Sequence, residues 1–245
     1  MVEGWLATET LRPAELTILA RSDSVALQAL SARGVRVNPD PADLPPDAVW
    51  VLAVKPKVWR EAVEPWRAHV GAEAVVISVM AGVSLAATAE PFEAPVVRVM
   101  PTTGVAQGRG VASAWARDER AWAAARALFN PIADLVELSG EDHMDAATAV
   151  AGCGPAYVLA LARSMARAGR AQGLTAQDAD RLARGALRSA AAVLDGEGSL
   201  DEMIGRIASP GGVTEAGLKV LAQDDALDRL AARTIQAAAD KAGGA

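Results

Sequence analysis

An α/β sheet region followed by an all-helical region is the fold class this sequence predicts, and three observations carry it. Up to about residue 100, short apolar runs alternate with amphipathic stretches, the pattern of parallel strands covered by helices. From Glu141 to Ala239 the periodicity is helical almost throughout. The chain is 51% apolar but only 4% aromatic, with Ala and Val dominant, which suits closely packed helices and Val-rich buried strands.

The elements follow in order. Leu16–Ala20 reads as a buried strand, Ser24–Arg33 as a helix capped by Ser24, and Gly34–Val37 as a short strand. Ala48–Val54 is an apolar strand, followed by a helix through Trp59 and Trp66. Ala74–Val79 and Val96–Met100 are two further strands. The second region offers helices over Asp145–Ala151, Pro155–Gln172, Ala176–Leu194, Ser199–Ile207, Glu215–Ala222 and Asp225–Ala239. Pro155 suits a first helical turn, where its missing N–H costs nothing, and Gly173 suits a helix stop. The last four residues, Ala242–Ala245, read as a frayed end. The predicted domains are 1–139 and 140–245, with no internal repeat.

Composition excludes several classes. A net charge of -6 with no basic stripe argues against nucleic acid. The longest apolar runs, such as Val75–Val83, are too short to cross a bilayer, and the N-terminus has no basic start leading into an apolar run. The single cysteine, Cys153, allows no internal disulfide and suits a reducing compartment, so the expected location is the cytoplasm. His69 and His143 have no Cys, His, Asp or Glu at zinc spacing, so no metal is expected. Neither a Gly-x-Ser-x-Gly elbow nor a Walker loop occurs. Without a neighbouring histidine, Cys153 reads as a small residue at a helix junction, not as a nucleophile.

Four segments carry chemistry. In Ser209-Pro210-Gly211-Gly212-Val213-Thr214-Glu215-Ala216-Gly217-Leu218, a proline and two glycines precede an amphipathic helix, leaving backbone N–H groups free for a carboxylate or phosphate. Thr214 adds a hydroxyl. Ala53-Val54-Lys55-Pro56 closes a presumed parallel strand, at the edge where such sheets bind dinucleotides. Ser78–Val83 ends the next strand, where Ala81 and Gly82 allow a flat ring to approach the backbone. Arg21 and Ser22 end the first strand where an acidic residue would select a ribose 2′-hydroxyl, so they favour a 2′-phosphate and hence NADP over NAD.

Together these segments resemble the pyrroline-5-carboxylate reductases over nearly the whole chain. Ala151-Gly152-Cys153-Gly154-Pro155-Ala156-Tyr157 is similar to the family's Ser-Gly-Ser-Gly-Pro-Ala-Tyr, and Ser209–Leu218 carries the family signature almost unaltered. The resemblance implies a Rossmann-like sheet domain, a helical dimerisation domain, and reduction of 1-pyrroline-5-carboxylate to L-proline with NADPH, NADH being the alternative. It implies that Ser209, Gly211 and Gly212 hold the substrate carboxylate, while Thr214 hydrogen-bonds the ring nitrogen beside the nicotinamide. Glu197 and Glu141 match pocket-lining positions, and Val213 joins Arg21, Ser22, Ala53, Val54, Lys55, Pro56, Ala81 and Gly82 on the cofactor side. A protonated imine is already electrophilic, so positioning suffices for most of the chemistry.

Two departures from the family pattern matter. Met100-Pro101-Thr102-Thr103-Gly104 stands where the family has Met-Pro-Asn-Thr-Pro, which predicts a looser loop. The family's opening strand and glycine-rich pyrophosphate turn have no counterpart, and Met1–Ala7 matches the family's first helix from part-way along. Translation is therefore expected to start upstream of Met1. The strands at Leu16–Ala20 and Ala48–Val54 are expected to lack their shared neighbour, forgoing ladder bonds of roughly 0.5–1.5 kcal/mol each. Two other readings follow: a substrate-binding, oligomerising remnant without full activity, or a related imine or hydroxyacid reductase. Those hydroxyacid enzymes usually carry a catalytic lysine in a long central helix, and Pro155–Gln172 has none.

Overall fold

A computed structural model describes residues 1–194 and 196–243, and the chain divides into two units. One comprises 1–152 with the chain's last residues from 238; the other comprises 153–237. The segment after the last strand stays on the sheet with the first unit: Met144 is fully buried there, and Glu141 is bonded to two sheet-side elements. Of the terminal residues expected to fray, Ala242 and Gly243 belong to the last helix, while Gly244 and Ala245 lie outside the described residues.

The first unit runs α1 (Val2–Ala7), β1 (Thr17–Ile18), α2 (Val25–Ala32), β2 (Arg36–Val37), β3 (Val49–Leu52), α3 (Trp59–Val63) and β4 (Val75–Ser78). It continues with α4 (Leu85–Ala89), β5 (Val96–Pro101), β6 (Gly110–Ala116), α5 (Glu119–Phe129), β7 (Ala133–Glu137) and α6 (Met144–Ala147). Ser24 caps α2 by accepting the Leu27 N–H, as its sequence position predicts. The helix through Trp59 stops at Val63, short of Trp66, because Pro65 ends it.

The strands form two sheets. β1 pairs with β2 in parallel, and the order β3-β4-β5-β6-β7 makes the second sheet. β3, β4 and β5 are parallel, β5 and β6 antiparallel, and β6 and β7 parallel. The link from β5 to β6 is a single 3-10 turn, Thr103–Gln107, too short for a parallel crossover, so the chain reverses. β1 and β3 are not paired with each other, so each leaves one edge open among the described residues. Their side chains nevertheless meet one core: Leu16 and Ile18 beside β1, and Val51 on β3, belong to the same apolar cluster as Val75, Ile77, Val97 and Val99.

Alternation sorts the sheet residues to two faces. Val75, Ile77, Val97 and Val99 face a cluster closed by Trp5, Phe129 and Ile132. Val76 and Val96 face a second, with Leu52, Trp59, Met80, Val83 and Leu85. Trp5 anchors α1: its ring meets Phe129 edge-on at 6.0 Å, and its Nε1 donates to the Leu128 carbonyl at 2.6 Å.

The second unit is helical: α7 (Gly154–Ala171), α8 (Ala176–Val193), α9 (Leu200–Ile207) and α10 (Val213–Ala222), with the start of α11 (Ala226–Gly243). Thr175 and Ser199 cap α8 and α9, and Gly173, with φ at +95°, breaks the chain between α7 and α8. Ala162, Ala179, Ala183 and Met203 are its buried apolar residues, while Leu159, Leu182, Leu200, Val213 and Val220 are each at least 60% exposed. The exclusion of a membrane from run length needs a correction. The helical stretch Glu141–Ala171 is long and apolar enough to cross a bilayer, because polar residues interrupt its runs without lowering its mean hydropathy far.

Candidate active site

Parallel α/β sheets bind ligands beyond the carboxyl ends of their strands. β3, β4 and β5 run the same way, so their carboxyl ends share one edge. The Val79 N–H donates to the Leu52 carbonyl at 3.2 Å, joining the ends of β3 and β4. The predicted cofactor residues follow those ends. Ala53, Val54 and Lys55 are exposed after β3, and Lys55 leads into a 3-10 turn begun by Pro56. Ala81 and Gly82 follow β4, half-buried, with Gly82 at φ +72°. These small residues leave backbone accessible to a flat ring, and Lys55 is free to face a phosphate, so this edge fits part of a dinucleotide.

Arg21 and Ser22 sit exposed beyond β1. The turn there is held by a residue that the sequence reading did not single out. Asn38, at φ +46°, accepts the Ala20 N–H through Oδ1 at 2.8 Å and donates through Nδ2 to the Ala20 carbonyl at 3.0 Å. An asparagine just past a strand, able to adopt the left-handed region, was the available signal. Arg21 itself donates to Glu61 at 2.7 Å.

The loop after β5 is pinned, against the expected looseness. Thr102 is bonded twice to β6: its N–H donates to the Val111 carbonyl at 2.9 Å, and its hydroxyl accepts the Val111 N–H at 3.1 Å. Gly104 lies so close to the backbone five residues on that a Cβ would meet the Arg109 carbonyl oxygen at 2.6 Å.

Glu141 is placed on the sheet side. Its Oε1 accepts from Arg98 Nη1 at 2.8 Å and from the Leu85 N–H at 2.5 Å.

In the second unit a proline–glycine turn joins α9 and α10, and the two glycine N–H groups expected to be free are both bonded. Gly211 takes φ +73°, a conformation glycine adopts without penalty, and the Gly212 N–H closes the turn on the Ser209 carbonyl at 2.9 Å. Gly212 is the N-cap of α10, Val213 is fully open, and Thr214 is half-buried on the first turn. Ser209 and Glu197 are exposed. The Gly211 N–H is already taken: Glu215 Oε2 accepts it at 2.6 Å, and Glu215 also pairs with Lys219 at 3.0 Å. Lys219, and then the Gly211 N–H, hold the Glu215 carboxyl below its usual range.

Comparison with known proteins gives the family in which such an edge and such a turn are to be read. Pyrroline-5-carboxylate reductase 2 of Bacillus subtilis (strain 168) is 32% identical over 229 residues, which are 90% of this chain and 82% of that protein. The chain belongs to the pyrroline-5-carboxylate reductases. The family's dimerisation domain, "Pyrroline-5-carboxylate reductase dimerisation", matches residues 141–244. The Synechocystis sp. reductase is 35% identical, covering 76% of this chain and 72% of its own length. The solved pyrroline-5-carboxylate reductase of Coxiella burnetii superposes with a TM-score of 0.87 at 26% identity, over 98% of this chain and 92% of that one. At 22% identity, the Plasmodium falciparum pyrroline carboxylate reductase with NADP bound shares the fold, with a TM-score of 0.79 over 99% of this chain and 91% of that one. As in other pyrroline-5-carboxylate reductases, the reductant is a nicotinamide cofactor and the helical half associates with its own kind. These relatives favour the reductase over the remnant and hydroxyacid readings.

Proposed function

We propose that this chain reduces 1-pyrroline-5-carboxylate to L-proline with NADPH, as a homodimer in the cytoplasm. The observation that carries the reading is its 32% identity to the Bacillus subtilis reductase across 90% of the chain, with the glycine turn at Ser209–Gly212 intact. The choice of NADPH over NADH rests on Arg21 and Ser22, which offer a cation and a hydroxyl to a ribose 2′-phosphate. The cytoplasmic placement rests on the lone cysteine.

The residues divide the work. Ser209 binds the substrate carboxylate with the Gly211 N–H, which Glu215 has to release, while the Gly212 N–H, bonded to the Ser209 carbonyl, holds the turn at the start of α10, where the helix dipole adds attraction for an anion. Thr214, on the first turn, hydrogen-bonds the ring nitrogen and orients the imine carbon. Glu197 lines the substrate side. In the first unit Lys55 faces the cofactor's phosphate or ribose, and Ala81 and Gly82 give its ring a flat seat. The bound nicotinamide supplies the hydride. The protein's contribution is mostly orientation, because the protonated imine needs little further activation.

The test is Thr214→Ala in the full chain, with imine-dependent NADPH oxidation and NADPH binding measured separately. Turnover falls by about 10²-fold, the range for a lost orienting contact, while NADPH binding holds. Collapse of NADPH affinity with saturating turnover unchanged would overturn the role given to Thr214.

A further inference from the structure

Among the described residues, Arg98 is the one ionisable side chain in the buried set. It interrupts the apolar run Val96-Val97-Arg98-Val99 on β5, the middle strand of its sheet, opposite Ser78 on β4 and Trp115 on β6. Its side chain is 7% exposed, and its Nε is buried with no hydrogen-bond partner. A charge in that position is costly unless an opposite charge meets it. Glu141 supplies that charge from 43 residues away.

The same carboxylate oxygen does a second thing. Leu85 opens α4, so its N–H has no partner within the helix. The local cap, Ser84, spends its side chain on the Ala87 N–H. Glu141 Oε1 accepts the Leu85 N–H instead. The loop between β4 and α4 is thereby tied at both ends, by Val79 to Leu52 and by Leu85 to Glu141, while Met80 and Val83 are buried in the apolar cluster beneath it. Ala81 and Gly82 are left as the half-buried crest.

We propose that Glu141 is a positioning residue for the nicotinamide: it clamps the Leu85 N–H and so fixes the shape of the 79–84 loop, with Arg98 holding its carboxylate in place. This rests on the reading of Ala81 and Gly82 as the ring's seat. Glu141 then acts through the backbone of the loop and not by touching substrate.

Three variants of the full chain separate the clamp from simple charge compensation. Each is read by thermal midpoint, by amide hydrogen exchange over 79–85 without cofactor, and by NADPH affinity from fluorescence titration. Glu141→Ala lowers the midpoint, speeds exchange and weakens NADPH binding. Arg98→Met with Glu141→Leu removes both charges together and recovers the midpoint. It keeps fast exchange at Leu85 and NADPH binding weaker by about tenfold, the loss expected for one hydrogen bond. Arg98→Met with Glu141→Gln restores an acceptor for the Leu85 N–H, and with it slow exchange and parental NADPH affinity. If the Met/Leu pair matches the parent in exchange and in NADPH affinity, Glu141 is only a counter-charge and the proposal falls. If exchange follows the clamp while NADPH affinity stays the same in all three variants, the seat assigned to Ala81 and Gly82 is wrong, and the nicotinamide role of Glu141 falls with it.

Discussion

Glu215 reaches back over the start of its own helix and accepts the Gly211 N–H at 2.6 Å, the donor that the substrate carboxylate is proposed to use. A side-chain carboxylate thus sits where a ligand carboxylate would bind. Glu215→Ala frees that donor, and the expected result is a severalfold lower KM for 1-pyrroline-5-carboxylate with kcat little changed. A higher KM would mean that the Glu215 bond shapes the turn for substrate. The pH dependence has a definite sign. The Glu215 carboxyl titrates below its usual range, so the clasp stabilises the turn above the unfolded value and is lost as pH falls through the lower folded value. Exchange at the Gly211 amide is expected to rise, relative to its intrinsic rate, only as pH falls below the ordinary glutamate range. Glu215→Gln removes that acid-side change.

Arg21 bonds to Glu61, each side chain about two-thirds exposed. Such a pair contributes little to stability, about 0–1 kcal/mol, so its consequence lies in ligand choice. A 2′-phosphate entering beside Arg21 has to compete with Glu61 and is repelled by it. Glu61→Gln is therefore expected to lower KM for NADPH severalfold and leave KM for NADH unchanged. Arg21→Gln is expected to move the ratio the other way. Equal effects on both cofactors would remove Arg21 from the 2′-phosphate assignment. The measurement is steady-state kinetics with each cofactor at fixed imine.

The parts of the first unit that place this edge were legible because β3, β4 and β5 are Val-rich runs whose ends carry small or charged residues. Stretch 101–138 was harder to read. In β6 the inward positions are Ala112, Ala114 and Ala116, whose contrast with Ser113 is too weak for a period of two to stand out. β1 spans Thr17–Ile18, shorter than its apolar run, because it has a neighbour on one side. The Arg98–Glu141 pair lay beyond sequence reading. A lone arginine in an apolar strand signals a buried charge, but nothing local names the partner that meets it.

Gly104 offers a test of the pinned loop after β5. Any side chain there brings a Cβ to 2.6 Å from the Arg109 carbonyl oxygen, a backbone atom that cannot swing aside. The family's proline would carry the same Cβ, so this chain has settled the loop around a glycine. Gly104→Ala is expected to cost about 1–3 kcal/mol, the range for overpacking, seen as a lower thermal midpoint. An unchanged midpoint would show that the turn at Thr103–Gln107 shifts freely.

The helical unit argues for its own partner. Among the described residues, four buried apolar side chains, three of them alanines, are a thin core for about eighty residues, while Val158, Leu159, Leu161 and Met165 on α7 are each about half exposed or more. Burying one such leucine in a dimer contributes about 1.5–3 kcal/mol per copy, so the fold of this unit and its association are expected to be linked. The thermal midpoint then rises with protein concentration. Leu159→Lys lowers both the midpoint and the mass measured by light scattering. Val25→Lys, at a still more open position in the first unit, changes neither. A Leu159→Lys chain with parental mass and a concentration-independent midpoint would place the self-association face away from α7.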